Sequence, residues 1–167
     1  MKIQVVDNFF EDLLPIYNKT KNLKFYKLKE FNTKFKTNQK WPGVRTEIIP
    51  KVDLELSQIV MKVFLTKFRN FLDSGDSKIT MYAHQRDKKY SKEDFIHTDS
   101  DLTKYSCLIY LSKTNLNSGT KFYNEKKQVI NDFKFVQNRA LIFDSRYLHS
   151  AYGHHNGRLN LSLFIKY

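Results

Sequence analysis

Residues 158–167, RLNLSLFIKY, place a leucine or isoleucine at alternate positions: Leu159, Leu161, Leu163 and Ile165. Side chains on an extended chain point alternately to the two faces of a sheet, so this spacing predicts a strand with one apolar face. The other face carries Arg158, Asn160, Ser162 and Phe164. In a small β-fold a polar interior stripe costs free energy unless a ligand fills it. The segment predicts a sheet and, beside it, a place for a ligand.

Upstream the same reading continues. KITMYAHQ (78–85) and YSCLIYLS (105–112) are predicted strands, TKFYN (120–124) and KQVIN (127–131) short ones, and ALIFD (140–144) a buried one. RDKKYSKED (86–94) reads as a charged loop and TNLNSG (114–119) as a turn. The first half of the chain reads differently. IQVV (3–6) is a short strand with Asp7 as a helix cap, and Phe9, Phe10, Leu13 and Leu14 then have helical spacing. Residues 18–50 are basic and mixed, an irregular stretch with short strands and a turn at Trp41-Pro42-Gly43. The clearest helix is 53–72, with Leu56, Val60, Val63, Phe64 and Phe71 near one face and Ser74-Gly75 closing it. Helices first and short strands afterwards predict an α+β chain: a jelly roll, or double-stranded β-helix, buttressed by N-terminal helices. Residues 1–167 are expected to form a single domain, 1–78 its helical and irregular part and 79–167 its jelly-roll core.

Composition narrows the classes. The 167 residues suffice for one real core, and 14 Phe with 10 Tyr against one Trp suit sheet packing. One cysteine excludes an intrachain disulfide and fits a reducing, cytoplasmic setting. MKIQVVDNFFEDLLP is acidic where a signal peptide needs an apolar core, and no apolar run reaches the length of a membrane span. A formal charge of +12 favours nucleic acid, anionic surfaces or acidic substrates, although the lysines are dispersed rather than gathered in a stripe.

The chemistry enters at DFIHTDSD (94–101). His97 and Asp99, two residues apart, can reach one ion from the same side of an extended chain. Alone the pair is weak, since five histidines among 17 acids produce about half of one such match by chance. His149 follows a buried strand, and Arg158 comes nine residues later. Two imidazoles and one carboxylate on one face of an octahedral ion leave the opposite face open, the arrangement of non-haem Fe(II) oxygenase sites. A 2-oxoacid bound to such an ion would present its far carboxylate to a guanidinium, which matches it with two parallel hydrogen bonds.

The run HTD (97–99), CLIYLS (107–112), GTKFYN (119–124), ALIFDSRYLHSAYG (140–153) and GRLNLSLFIKY (157–167) resembles the Fe(II)/2-oxoglutarate-dependent dioxygenases, most closely their prolyl-hydroxylase-like branch. The resemblance spans about residues 79–167. It implies Fe(II) ligation by His97, Asp99 and His149, and binding of the co-substrate 2-oxoglutarate by Arg158, with Tyr110, Tyr82 and Asn160 in the same pocket. It also implies O2 as oxidant, hydroxylation of a C–H bond, and release of succinate and CO2. A peptidyl residue such as proline is the first expectation for the substrate, a small molecule the next, and a nucleobase the third. The family often has two glycines before its short strand; here Gly119 is followed by Thr120.

Two other functions fit parts of the same sequence. A non-enzymatic basic β-module binding nucleic acid or another anion expects the histidines and Arg158 to diverge. A zinc hydrolase would use the same ligands but gives Arg158 no task. His154 and His155 read as an exposed turn, Cys107 as inert packing, and His84 as a strand residue outside the site. Trp41-Pro42-Gly43-Val44-Arg45 reads as a turn with one aromatic and one cation, either a lid or substrate-binding loop over the site or plain structure.

Overall fold

The computed structural model describes residues 2–72, 77–86, 94–99, 101–153 and 157–166. Strand β1 (Ile3–Val6) leads into helix α1 (Leu13–Lys21), β2 (Phe25–Lys27), α2 (Leu28–Phe35) and β3 (Val44–Thr46). Helices α3 (Ile49–Val52) and α4 (Leu54–Phe68) follow, the latter tightening into a single 3-10 turn, Arg69–Phe71. The rest is strand: β4 (Lys78–Arg86), β5 (Tyr105–Tyr110), β6 (Asn115–Tyr123), β7 (Val129–Phe135), β8 (Ala140–Asp144), β9 (Leu148–Tyr152) and β10 (Arg158–Lys166).

The strands form a seven-stranded sheet, order β1-β8-β5-β10-β4-β3-β2, and a three-stranded sheet, order β7-β6-β9. All pairings are antiparallel. The period-two pattern sorts side chains into two cores. Leu161, Ile109, Ala83 and Ile142 point toward the helices and meet Leu56, Val60, Phe64 and Phe68 of α4. On the reverse face, Tyr110, Leu141 and Phe143 meet Phe122 and Phe135 of the smaller sheet. The molecule is thus layered as helices, large sheet, small sheet. Each fully buried Phe, Leu or Val in these layers contributes about 1.5–3 kcal/mol over an exposed one.

β10 is the strand expected from its alternation, and it lies at the centre of the large sheet, with β5 and β4 on its two sides. The N-terminal segments diverge from expectation. Asp7 caps no helix; it makes a two-pronged ion pair with Arg139, at 2.6 and 2.9 Å. Asp12 caps α1 instead, accepting from Leu14 N at 3.1 Å. Phe9 and Phe10 precede the helix and pack edge-to-face in the core. Residues 18–50 hold helix α2, whose short apolar stripe of Phe31 and Phe35 is interrupted by lysines and gives little helical signal. They also supply two strands to the large sheet. TNLNSG is not a turn: Asn115–Ser118 open β6, with a register irregularity before Gly119. The long helix is found where expected: α4 is capped by Asp53, which accepts from Leu56 N at 2.8 Å, and runs through Phe68 into the 3-10 turn Arg69–Phe71, while α3 is a short separate turn before it. The expected stop at Ser74-Gly75 lies outside the described residues.

Candidate functional site

His97 forms an isolated β-bridge to His149 of β9, with His97 N donating to His149 O at 3.0 Å and His149 N to His97 O at 2.8 Å. Asp99, two residues on, is anchored by its own N–H to Ser145 O at 2.9 Å. One ligating atom from each of His97, Asp99 and His149 lies within 4.8 Å of the others. His149 Nε2 is 3.8 Å from Asp99 Oδ2, and the imidazole centroids are 4.4 Å apart.

The imidazoles are oriented as ligands. His97 Nδ1 lies 3.0 Å from Phe95 O, and His149 Nδ1 lies 2.8 Å from Tyr147 O. A carbonyl only accepts, so each Nδ1 carries the proton and each Nε2 keeps its lone pair. Burial holds His149 below its ordinary pKa, opposed by the Asp99 carboxylate, with Phe122 and Phe143 against its ring. The neutral imidazole, the form that binds metal, is thereby favoured. The Ser106 hydroxyl donates to Asp99 Oδ2 and fixes the carboxylate. Two nitrogens and one oxygen suit Fe(II) and leave the rest of its shell open. The alternative basic-module reading expected these side chains to diverge; they converge.

The three side chains form one wall of a cavity of about 470 Å³. Arg158 and Asn160 of β10 and Tyr82 of β4 line it as well. Arg158 is 4% exposed, donates from Nη1 to Gly119 O at 3.1 Å, and stands 5.3 Å from the Tyr110 ring and 4.9 Å from the Phe135 ring. Burial lowers its pKa. Asn160 donates to Ser162 Oγ at 3.1 Å. Tyr110 is fully buried, stacked on Phe135 at 4.3 Å. Its hydroxyl pairs at 2.7 Å with Thr120 Oγ1, and Thr120 is the residue that reaches the cavity wall.

Some contributors were not singled out from sequence. Ser106 and Thr120 are common polar residues inside predicted strands, and only the register of β5 and β6 places them here. His84, read as outside the site, lines the cavity, as does the pair Arg86–Asp94. Arg45 of β3, the cation of the turn read as a lid, a substrate-binding loop or plain structure, lines it too, through the β3–β4 pairing. Trp41 and Pro42 belong to the wall. Gly43 has φ +81°, and a Cβ there would meet Gln85 O at 2.4 Å, so this turn is seated on β4. Asp144 pairs with Arg146 at 2.5 Å and Glu47 with Lys34 at 3.9 Å, both outside the cavity wall. Cys107 is buried with its thiol pKa pushed well up, as inert packing requires. His154 and His155 lie outside the described residues. Among the described residues, no helix is long and apolar enough to cross a membrane.

No protein-family model matches the chain, and no curated protein matches it. Solved structures do. HygX from Streptomyces hygroscopicus, with nickel, 2-oxoglutarate and hygromycin B bound, is similar at a TM-score of 0.72 and 10% identity, over 98% of this chain and 82% of that one. An oxidoreductase of the 2OG-Fe(II) oxygenase family from Burkholderia pseudomallei gives 0.68 and 12%, over 98% and 84%. The prolyl hydroxylase from Trichoplax adhaerens, in complex with a hypoxia inducible factor oxygen degradation domain peptide, gives 0.67 and 12%, over 98% and 83%. The chain therefore has the fold of 2OG-Fe(II) oxygenases and prolyl hydroxylases, with a His-Asp-His cluster able to hold a metal ion.

Proposed function

We propose that the protein is an Fe(II)- and 2-oxoglutarate-dependent dioxygenase that hydroxylates a C–H bond of its substrate. The observation that carries this is the convergence of His97, Asp99 and His149, both imidazoles presenting Nε2, on a cavity that also contains a buried arginine. The two sheets then correspond to the faces of a double-stranded β-helix within one catalytic domain.

In this reading His97, Asp99 and His149 hold Fe(II), and Arg158 holds the far carboxylate of 2-oxoglutarate. Bound together there, these groups supply O2 activation coupled to oxidative decarboxylation, with succinate and CO2 as products. The chain's own part is positional. The carbonyls of Phe95 and Tyr147 fix both imidazoles, and Ser106 fixes the Asp99 carboxylate. Phe122 and Phe143 keep water from the back of His149. Tyr110, through Thr120, and Asn160 shape the pocket around Arg158. A peptidyl residue such as proline is the first substrate class, supported by the structural likeness to a prolyl hydroxylase solved with a peptide. A small molecule is the second, supported by the likeness to HygX solved with hygromycin B.

The test is anaerobic addition of Fe(II) and 2-oxoglutarate to the purified protein. A weak visible charge-transfer band of the chelate is expected, and a wild-type protein without that band would overturn the reading.

A further inference from the structure

Arg45 stands on β3 directly opposite His84 of β4, and it is 5% exposed. Its guanidinium carbon lies 4.1 Å from the Tyr82 ring centroid, 4.4 Å from that of Phe31 and 4.8 Å from that of Trp41. Rings attract a cation to their faces but leave the in-plane N–H groups to be satisfied elsewhere. Here the side chain's hydrogen-bond partner is a neutral amide, Gln39, and its Nε–H meets no acceptor.

The same patch holds two further unmet polar atoms. The indole Nε1–H of Trp41 and Nε2 of His84 are buried without a partner, and the two rings are 6.2 Å apart, edge to face. Each unmet buried polar group has lost its water without a replacement partner, which destabilises the empty site. The guanidinium and the indole N–H can only donate, so whatever satisfies them must accept.

Charge points the same way. Two carboxylates line the cavity: Asp94 is paired with Arg86, and Asp99 belongs to the metal ligands. Arg45 makes no ion pair among the described residues. Burial without a counter-charge lowers its pKa to about 10. Arg158 stands on β10, separated from β3 by β4, so the two Cα atoms are about 10 Å or more apart. Besides Arg86, which is paired with Asp94, the cavity thus carries two arginines, on different strands.

We propose that the cage of Arg45, Trp41 and Tyr82 binds an anionic group, a carboxylate or a phosphate, carried by the substrate that is oxidised. The identification of that anion's owner as the substrate rests on the oxygenase reading; anion binding by the cage does not. The metal cluster and Arg158 serve one region of the cavity, and the cage receives the charged end of a second molecule. A neutral substrate would leave Arg45 buried and uncompensated.

Trp41 is the single tryptophan of the chain, so its emission reports on the cage without any metal or turnover. The chelator-treated protein is titrated with inorganic phosphate and, separately, with acetate, at constant ionic strength. A saturable change in emission is expected, and the anion that binds more tightly identifies the group. Arg45→Gln weakens binding by more than about tenfold, as loss of a charge-assisted hydrogen bond requires. Gln39→Glu places a carboxylate beside the guanidinium and keeps the cage folded, and it suppresses the response as well. His97→Ala leaves the response intact, so a failure of the metal site and a failure of the cage read out separately. An emission that ignores both anions overturns the proposal, as does a response that Arg45→Gln and Gln39→Glu leave at the wild-type level. So does a response lost in Arg158→Gln and kept in Arg45→Gln. In succinate-release assays over matched neutral and anionic substrates, the wild type prefers the anionic member. Gln39→Glu loses that preference with the KM for 2-oxoglutarate unchanged. A raised KM for 2-oxoglutarate instead would assign the cage to the co-substrate and overturn the proposal.

Discussion

His97 and His149 are bound to each other twice through their main chains, at 3.0 and 2.8 Å, and this bridge is what holds their imidazole centroids 4.4 Å apart, tilted at 50°. The bridge belongs to the backbone, so it survives loss of either side chain. His97→Ala is therefore expected to keep the fold, with a melting temperature near that of the wild-type apo-protein. Its metal affinity falls by more than about 100-fold, beyond the range seen for residues that only orient a ligand. Anaerobic calorimetry with Fe(II) or Mn(II) measures this, and near-wild-type affinity in His97→Ala would remove His97 from the ligand set.

Ser106 separates positioning from ligation. Its hydroxyl donates to Asp99 Oδ2, and it stands on β5 with its side chain against the metal cluster. Ser106→Ala leaves all three ligands in place and frees the carboxylate to rotate. Metal affinity is expected to drop about 10- to 100-fold, while Ser106→Thr, which keeps the hydroxyl, restores most of it. Equal affinities in Ser106→Ala and the wild type would show that the hydroxyl does not orient Asp99.

The large-sheet strands near the C-terminus were legible because their periodicity is local. Leu159, Leu161, Leu163 and Ile165 announce a two-faced strand without knowledge of its neighbours, and the polar face with Arg158 follows directly. His97, Asp99 and His149 were legible through the resemblance of their segments to a known family, since the His97–Asp99 spacing alone arises by chance about as often as not. Arg45 was legible only as the cation of a turn of open role, because nothing near it in the chain distinguishes a buried arginine from a surface one. Its environment is made by Tyr82 and His84, 37 and more positions away, through a strand pairing that local pattern does not encode. Helix α2 was missed for a related reason: Phe31 and Phe35 meet at 4.5 Å, tilted, with Tyr26 edge-on to Phe35, a small aromatic cluster rather than a long apolar stripe. The exchange of Asp7 for Asp12 as a cap reflects competition, since the Arg139 guanidinium offers Asp7 a two-pronged partner that a helix end cannot match.

Arg158 sets the co-substrate prediction. Arg158→Gln removes a charge-assisted pair worth about 1.5–3 kcal/mol, so the dissociation constant for 2-oxoglutarate rises about 10- to 150-fold. Metal affinity without co-substrate stays near wild type, because Arg158 is bonded to Gly119 O and not to a ligand. Titrating the visible chelate band with 2-oxoglutarate reads the first quantity, and calorimetry the second. Unchanged 2-oxoglutarate affinity would give Arg158 a purely structural role.

Phe64 tests the layer between α4 and the large sheet. It is fully buried and its ring lies 5.5 Å from that of Phe68. Phe64→Ala is expected to cost about 3–5 kcal/mol in urea unfolding, with metal affinity of the folded fraction unchanged because the metal cluster lies on the other side of the sheet. A cost below about 1 kcal/mol, the level of a surface change, would mean that α4 is not packed on the sheet as described.

His84 gives the pH dependence its sign. Burial, and then the positive charges of Arg45, Arg86 and Arg158, hold its pKa well below 6.5 in the folded protein. The unfolded chain takes up a proton near 6.5 while the folded protein does not. The unfolded state therefore binds more protons once pH falls below that value, and stability falls with it. The contribution is complete above about pH 7 and declines by up to about 1.4 kcal/mol per pH unit below 6.5. His84→Gln removes the titrating group and leaves His149 in place, so chelator-treated wild type and variant share every other histidine. Thermal melts between pH 7 and pH 5 should show the wild-type melting temperature falling more steeply than the variant's. Parallel slopes would mean that His84 is protonated in the folded state and that the three arginines do not exclude a fourth positive charge from the cavity wall.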